Sequence, residues 1–260
     1  SIIDVEGGGA VLLGSAAFGE NSELGEEAHF ARLLSPYGFS SAGYDLDVVA
    51  DLDGDALPEI AIAMPGFREG KGLAMVVSSL EFAAGGDVRL DGADPMSNYT
   101  VVEGFDEAEG AGQSVAAADV DDDGLDELAV GVADPWQDGR GTVKLFWGEA
   151  VAQGRALYMD DAITFFDGDG GGFGADVAFL PGSDGTAEYI AIGAPELGGG
   201  AGGVIVHDVS ALQMRSSNEA MHPISTAFAT FEIEGEAVGD ALGSRLEAIQ
   251  MDDGTYTLAI

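Results

Sequence analysis

The chain has 260 residues, enough for a sizeable core, and 46% of them are apolar, so its acidity does not signal disorder. Nine basic residues stand against 47 acidic ones, and a net charge of −38 excludes nucleic acid and anionic membrane as partners, because both demand a basic footprint. Cysteine is absent, so there is no disulfide framework, and no apolar run approaches the roughly 18 residues that cross a bilayer.

In chain order, the pattern is one of short apolar or β-branched runs punctuated by Gly and Asp, with 41 glycines against 8 prolines. No long amphipathic helix interrupts it. The N-terminus, from Ser1, carries a Gly-rich turn and a strand, Ala10–Leu13. Gly43-Tyr-Asp-Leu-Asp-Val-Val-Ala-Asp51 then enters an acidic loop, a strand running to Met64-Pro65, and a second strand, Leu73–Val77, behind Gly70-Lys-Gly72. The same order returns as Gly112-Gln-Ser-Val-Ala-Ala-Ala-Asp119, a second acidic loop, Leu128–Ala133, and Thr142–Trp147 behind Gly139-Arg-Gly141. A third copy reads Phe173-Gly-Ala-Asp-Val-Ala-Phe179, Tyr189-Ile-Ala-Ile-Gly-Ala-Pro195 and Gly203–Val206, and a fourth runs from Leu242-Gly243 to Thr257-Leu-Ala-Ile260. Four segments in constant order predict a repeat protein whose units stack. The ends, without an initial Met or a signal peptide, suggest a mature or excised portion of something longer.

The two acidic loops carry the chemistry. Asp51, Asp53, Asp55 and Glu59, and again Asp119, Asp121, Asp123 and Glu127, occupy positions 1, 3, 5 and 9 of a tight turn. The Asp carboxylates would converge on one cation, the backbone carbonyl of Leu57 or Leu125 would add a ligand, and the Glu would close the shell. About six or seven oxygens suit Ca²⁺ better than Mg²⁺, which demands octahedral geometry and keeps its waters. An EF-hand is excluded, since it needs a later Glu and flanking helices, whereas Ile60 and Leu128 open strands. Two Ca²⁺ sites are expected, each holding together a turn that adjacent carboxylates push apart. The first loop has Ala56 where the pattern has Gly, which removes the easy φ > 0 turn there. The third and fourth copies lack the alternating carboxylates and are expected to close without metal. The remaining acids are read as a solvated surface suited to high salt, where screening shortens self-repulsion, with recruitment of cations or a basic partner as the sharper alternative.

Taken together, these residues resemble the FG-GAP repeat, the blade unit of the integrin α-subunit β-propeller. Phe173-Gly174 matches its Phe-Gly signature, Gly193-Ala194-Pro195 its Gly-Ala-Pro, and the two acidic loops its D-x-D-x-D-G-x-x-D calcium loop with Glu at the last place. The resemblance covers most of the chain. It implies an all-β fold, a β-propeller of four-stranded antiparallel blades in a single domain over residues 1–260. The blades are expected at about 39–104, 105–165, 166–234, and 235–260 joined with 1–38, so that one blade is split between the two termini. The alternative is a four-blade slice of a seven-bladed propeller.

No catalytic constellation is apparent. His29, His207 and His222 show no ligand spacing, there is no Gly-x-Ser-x-Gly elbow, and the glycine clusters Gly168–Gly174 and Gly198–Gly203 precede no helix that could cradle phosphate. Trp147 ends an apolar strand and is expected in the core, while Trp136 sits on a loop as a candidate contact. Asn98-Tyr-Thr100 is a glycosylation sequon. Ala83–Asn98 and Ser210–Thr226 read as long connectors, the usual place for binding on a rigid scaffold. The expected function is a calcium-stabilised extracellular or cell-surface module, not an enzyme, that binds a protein or glycan partner through its blade-connecting loops. Self-association as a fibre or sheath subunit, or attachment to a larger secreted enzyme, are the alternatives. Neither nucleic-acid binding nor membrane insertion is expected.

Overall fold

The computed structural model describes residues 9–13, 30–34, 40–52, 57–78, 86–89, 99–104, 110–132, 140–153, 156–157, 162–166, 171–182, 185–209, 212, 224–225, 229–251 and 255–260. Among the described residues the structure is all-β apart from single helical turns, as the short Gly-punctuated runs require. Near the N-terminus β1 (Gly9–Leu13) and β2 (Phe30–Leu34) pair antiparallel. The first full sheet joins β3 (Leu46–Val49), β4 (Glu59–Met64), β5 (Leu73–Ser78) and β7 (Tyr99–Glu103) in that antiparallel order. The second joins β8 (Ala111–Ala118), β9 (Glu127–Val132), β10 (Thr142–Phe146) and β12 (Ile163–Phe166) likewise. In the third, β13 (Val177–Pro181), β14 (Ala187–Ala194), β15 (Gly203–Asp208) and β17 (Phe231–Glu234) repeat the arrangement. A hairpin of β18 (Glu247–Gln250) and β19 (Tyr256–Ala259) follows.

One expectation differs from what is found. The stretches 83–98 and 210–226, read as loops, each contain a strand: β6 (Gly86–Arg89) pairs parallel with β2, and β16 (Ile224–Ser225) pairs parallel with β12. A third short strand, β11 (Ala156–Leu157), pairs parallel with β7. Backbone N–H and C=O groups along an open outer edge need partners, and the connectors supply them. Among the described residues β1 pairs with β2 and β19 with β18, and no ladder joins β19 to β1.

The sheets stack face to face in chain order, with β3, β8, β13 and β18 as successive neighbours. Period-2 alternation divides each central strand between two cores. In β9, Leu128, Val130 and Val132 pack with Ala61, Ala63, Val76 and Val102 of the first sheet. Ala129, on the opposite face, joins Val143, Phe165, Phe179, Ile190 and Ile192 against the third sheet. A smaller cluster of Ala178, Ala191, Val204, Val206 and Leu246 lies between the third sheet and the hairpin. Strands β5 and β9 are buried at every position for this reason. Each large apolar side chain so enclosed contributes roughly 1.5–3 kcal/mol.

Close approach of backbones fixes the phase of the stack. Gly72, Gly141 and Gly202 all have positive φ, and a Cβ at any of them would overlap backbone atoms of Ala111, Phe173 or Leu242 at the start of the next sheet. Carboxylates then clamp sheet to sheet. Val115 N–H donates to Asp45 Oδ2 at 2.9 Å, Ala117 N–H to Asp47 Oδ2 at 2.8 Å, and Leu246 N–H to Asp176 Oδ2 at 2.7 Å. In the second sheet, Ser114 Oγ donates to Gly174 O at 3.1 Å instead.

Candidate metal centre

The second acidic loop connects β8 to β9 and is described in full. Asp119 begins it by accepting two backbone bonds, from Asp122 N–H at 2.7 Å and Gly124 N–H at 3.1 Å. The carboxylate replaces the ladder partners that the turn has lost, a role suited to Asp at the start of a turn. Asp122 and Gly124 take the left-handed conformation, with φ of 63° and 88°, which tightens the turn. Ligand oxygens of Asp119, Asp121 and Glu127 thereby lie within 4.8 Å of one another. Asp123 is not in that group; its Oδ1 accepts Leu125 N–H at 2.8 Å.

Glu127 has a second role that spacing alone does not reveal. Its Oε2 accepts Val120 N–H at 2.7 Å and its Oε1 accepts Gly148 N–H at 2.8 Å, at the start of the helical turn Gly148–Val151. It therefore ties the base of the loop to the end of β10. Glu59 makes the counterpart of the Val120 contact in the first loop, where its Oε2 accepts Leu52 N–H at 2.6 Å. Asp51 and Leu57 are half-buried and exposed respectively. Asp53 and Asp55, with Ala56, lie outside the described residues, so convergence of that loop is not established by geometry.

Three observations test the fit of a cation at the second loop. Asp121 Oδ1 is buried and, among the described residues, accepts no hydrogen bond, a costly state for a carboxylate oxygen without a counter-charge. Burial raises the Asp121 carboxyl above its usual value, and the charges of Asp123 and Asp119 add to the effect. Burial likewise pushes Glu127 up to about 8, against the two N–H bonds that lower it. A site crowded with carboxylates that resist ionisation is one that a divalent cation relieves. The donor set, hard oxygen only, suits Ca²⁺ rather than a thiophilic or imidazole-seeking metal.

The loop also meets both neighbouring sheets. Ala50 N–H donates to Asp126 Oδ2 at 2.7 Å, and Ala187 N–H donates to Asp119 O at 2.7 Å. The turn from Pro181 to Ala187 takes the place of this loop in the third sheet, with no alternating carboxylates.

Other candidates fall as follows. Trp147 is buried in the core between the second and third sheets. His207 is buried too, its ring 5.3 Å from that of Phe165. His29, His222, Trp136 and Asn98 lie outside the described residues. Asp45, Asp47 and Asp176, which the sequence reading passed over, line a cavity of about 590 Å³ between the inner strands, together with Arg245 and Glu247. Burial pushes Asp47 and Asp176 up to about 6. Their oxygens are engaged by backbone N–H groups of the neighbouring sheet, so they serve packing. No helix of the described residues is long and apolar enough to cross a membrane. The chain matches no protein-family profile and no curated protein.

Proposed function

We propose that this chain is a calcium-stabilised interaction module of the FG-GAP β-propeller type. The observation that carries the reading is the meeting of Asp119, Asp121 and Glu127 around a buried Asp121 oxygen that has no donor among the described residues. The cation holds the β8–β9 turn, and through Asp126 and the Asp119 carbonyl that turn touches the sheets on either side. Its role is therefore scaffold, and the first loop holds a second ion by the same residue pattern. Stacked, doubly buried sheets with a repeated Gly-and-carboxylate register are the packing a propeller uses, in which each blade buries its neighbour's face. Binding of a protein or glycan partner falls to the connecting loops, in an extracellular or cell-surface setting where Ca²⁺ is abundant and salt screens the −38 charge.

Calorimetric titration with Ca²⁺ and with Mg²⁺ tests the metal reading. Saturable Ca²⁺ binding that is lost in Asp121→Asn supports it, and equal indifference to both ions refutes it. A glycan and extracellular-protein array, probed with and without chelator, tests the interaction role. A Ca²⁺-loaded protein that binds nothing on it leaves the scaffold reading intact and refutes the partner class.

A further inference from the structure

The connector that leaves β10 is fastened at two places, and one of them is the metal centre. Gly148 opens the helical turn Gly148–Val151, and its N–H is the donor that Glu127 Oε1 accepts at 2.8 Å. The approach is close. A Cβ on Gly148 would lie 2.7 Å from Leu125 Cβ and 3.0 Å from Asp126 O, both in the acidic loop. Beyond the turn, Val151 O accepts the buried Thr100 hydroxyl of β7. Strand β11 then pairs with β7, Ala156 opposite Val101 and Leu157 opposite Val102. Val151 and Leu157 are buried in one cluster with Val102 and Phe146. A single short segment thus runs from the acidic loop of the second sheet to the outer edge of the first.

The third sheet shows the same position without an acidic loop. Gly148 stands five residues past Val143, which lies opposite Gly131, and Val209 stands five past Val204, which lies opposite Gly193. Val209 N–H donates to the main-chain carbonyl of Glu188 at 2.9 Å rather than to a carboxylate. The carboxylate fastening therefore goes with the loop built to hold a cation. Without an ion it works against repulsion. Glu127 already meets the charges of Asp121 and Asp123, and Glu149, the next residue of the connector, adds its own charge on Asp121. Docking the connector thus brings a further negative charge to a crowded centre. Two residues of ladder offset little of this, since each hydrogen bond contributes modestly once water is accounted for. A divalent cation removes the opposition. Each carboxylate oxygen accepts more than one partner, so Glu127 has capacity for the ion beside its two N–H bonds.

We propose that the cation at the second loop acts as a clasp: bound, it locks the connector onto Glu127 and so holds β11 over the outer edge of β7; removed, it lets that edge open. The clasp rests on the cation reading and adds to it a regulated element, the connector described at 148–153 and 156–157. An opened β7 edge presents main-chain N–H and C=O groups to any strand that can pair with it. Coupling of this kind is reciprocal. The factor by which the ion tightens the connector is the factor by which the docked connector tightens the ion. Thr100 is the place to test that, because its hydroxyl holds the connector from β7, in a different sheet from the loop.

Amide hydrogen exchange of the chain is measured near neutral pH in CaCl₂ and in chelator, beside calorimetric titration with Ca²⁺. Saturating Ca²⁺ should slow exchange across 148–153 and 156–157 by about tenfold or more, while Val209 and Leu212 of the third sheet change by less than about twofold. Thr100→Val keeps the shape, removes the hydroxyl and should weaken Ca²⁺ binding about fivefold. Glu149→Gln, at an exposed position, should slow connector exchange in chelator and narrow the difference that Ca²⁺ makes. Calorimetry separates the clasp from the site beneath it. Absence of Ca²⁺ binding refutes both. Binding that alters connector exchange no more than it alters Val209 leaves the cation site standing and overturns the clasp. Equal Ca²⁺ affinity in Thr100→Val and the parent chain does the same.

Discussion

Replacing Asp121 by Asn separates cation binding from folding, because the two respond with opposite sign. Asp121 has a buried oxygen with no donor among the described residues and a carboxyl raised by burial and by the charges of Asp123 and Asp119. Without cation, Asn keeps the shape and removes a repelled charge, so the chelated variant should melt at or slightly above the temperature of the unmodified chain. With cation the order reverses. A loop of this kind with a dissociation constant near ~10 µM gains ~2.7 kcal/mol at about 1 mM Ca²⁺, or roughly 5–10 °C for a chain of this size. Loss of one of three converging carboxylates that weakens binding ~100-fold cuts the gain to ~0.4 kcal/mol, about 1 °C. Acidity sharpens the test. Glu127 sits at about 8 without cation, so near neutral pH the ion must displace its proton. Apparent affinity should fall about tenfold per pH unit below that value, with close to one proton released per ion. Thermal melts in CaCl₂ and in chelator, and calorimetry in two buffers of different ionisation enthalpy, read all three quantities. Equal response of Asp121→Asn and the parent chain to Ca²⁺, or binding without proton release, would refute the reasoning.

The remaining predictions concern packing. Asp47 is raised to about 6 by burial, so its folded form holds a proton more tightly than the unfolded chain. Its contribution to stability is full below about pH 4 and is lost as pH rises through about 6. In chelator, urea midpoints should therefore fall across that window, and Asp47→Asn should flatten the slope. Asp176→Leu deprives the Leu246 and Val177 N–H groups of their acceptor at a buried site. It should cost about 1–3 kcal/mol per unpaired group, with faster hydrogen exchange in β18 and β19 than in β9. At Gly131 a Cβ would overlap Gly174 O and Ser114 Oγ, so Gly131→Ala should destabilise by about 1–3 kcal/mol in urea unfolding, whereas the same change at a roomy turn would not.

How much of this was legible beforehand depends on the range of the interaction involved. The second acidic loop was readable because a turn and its carboxylates lie within a few residues. Asp119 caps the turn through N–H groups three and five positions on, and Glu127 reaches back seven to Val120. The strands were readable because period-2 alternation and Gly punctuation are local properties. Spacing does not show that Asp123 Oδ1 also accepts the Leu125 N–H, an equally local contact. The connectors were read as loops, since two-to-four-residue strands such as Ile224–Ser225 have no pattern of their own and exist only where an outer edge awaits them.

By itself the sequence determined an all-β chain of repeated strand units and placed two carboxylate turns at the same phase within them. Tertiary structure decided which carboxylates do what. Among 47 acidic side chains nothing local distinguishes Asp45, Asp47, Asp126 or Asp176 from a solvated surface. They become clamps because stacking brings backbone N–H groups from 70 to 76 residues away against them in the dry space between sheets. An N–H so buried must be paired, and only the folded arrangement determines which carboxylate lies within reach.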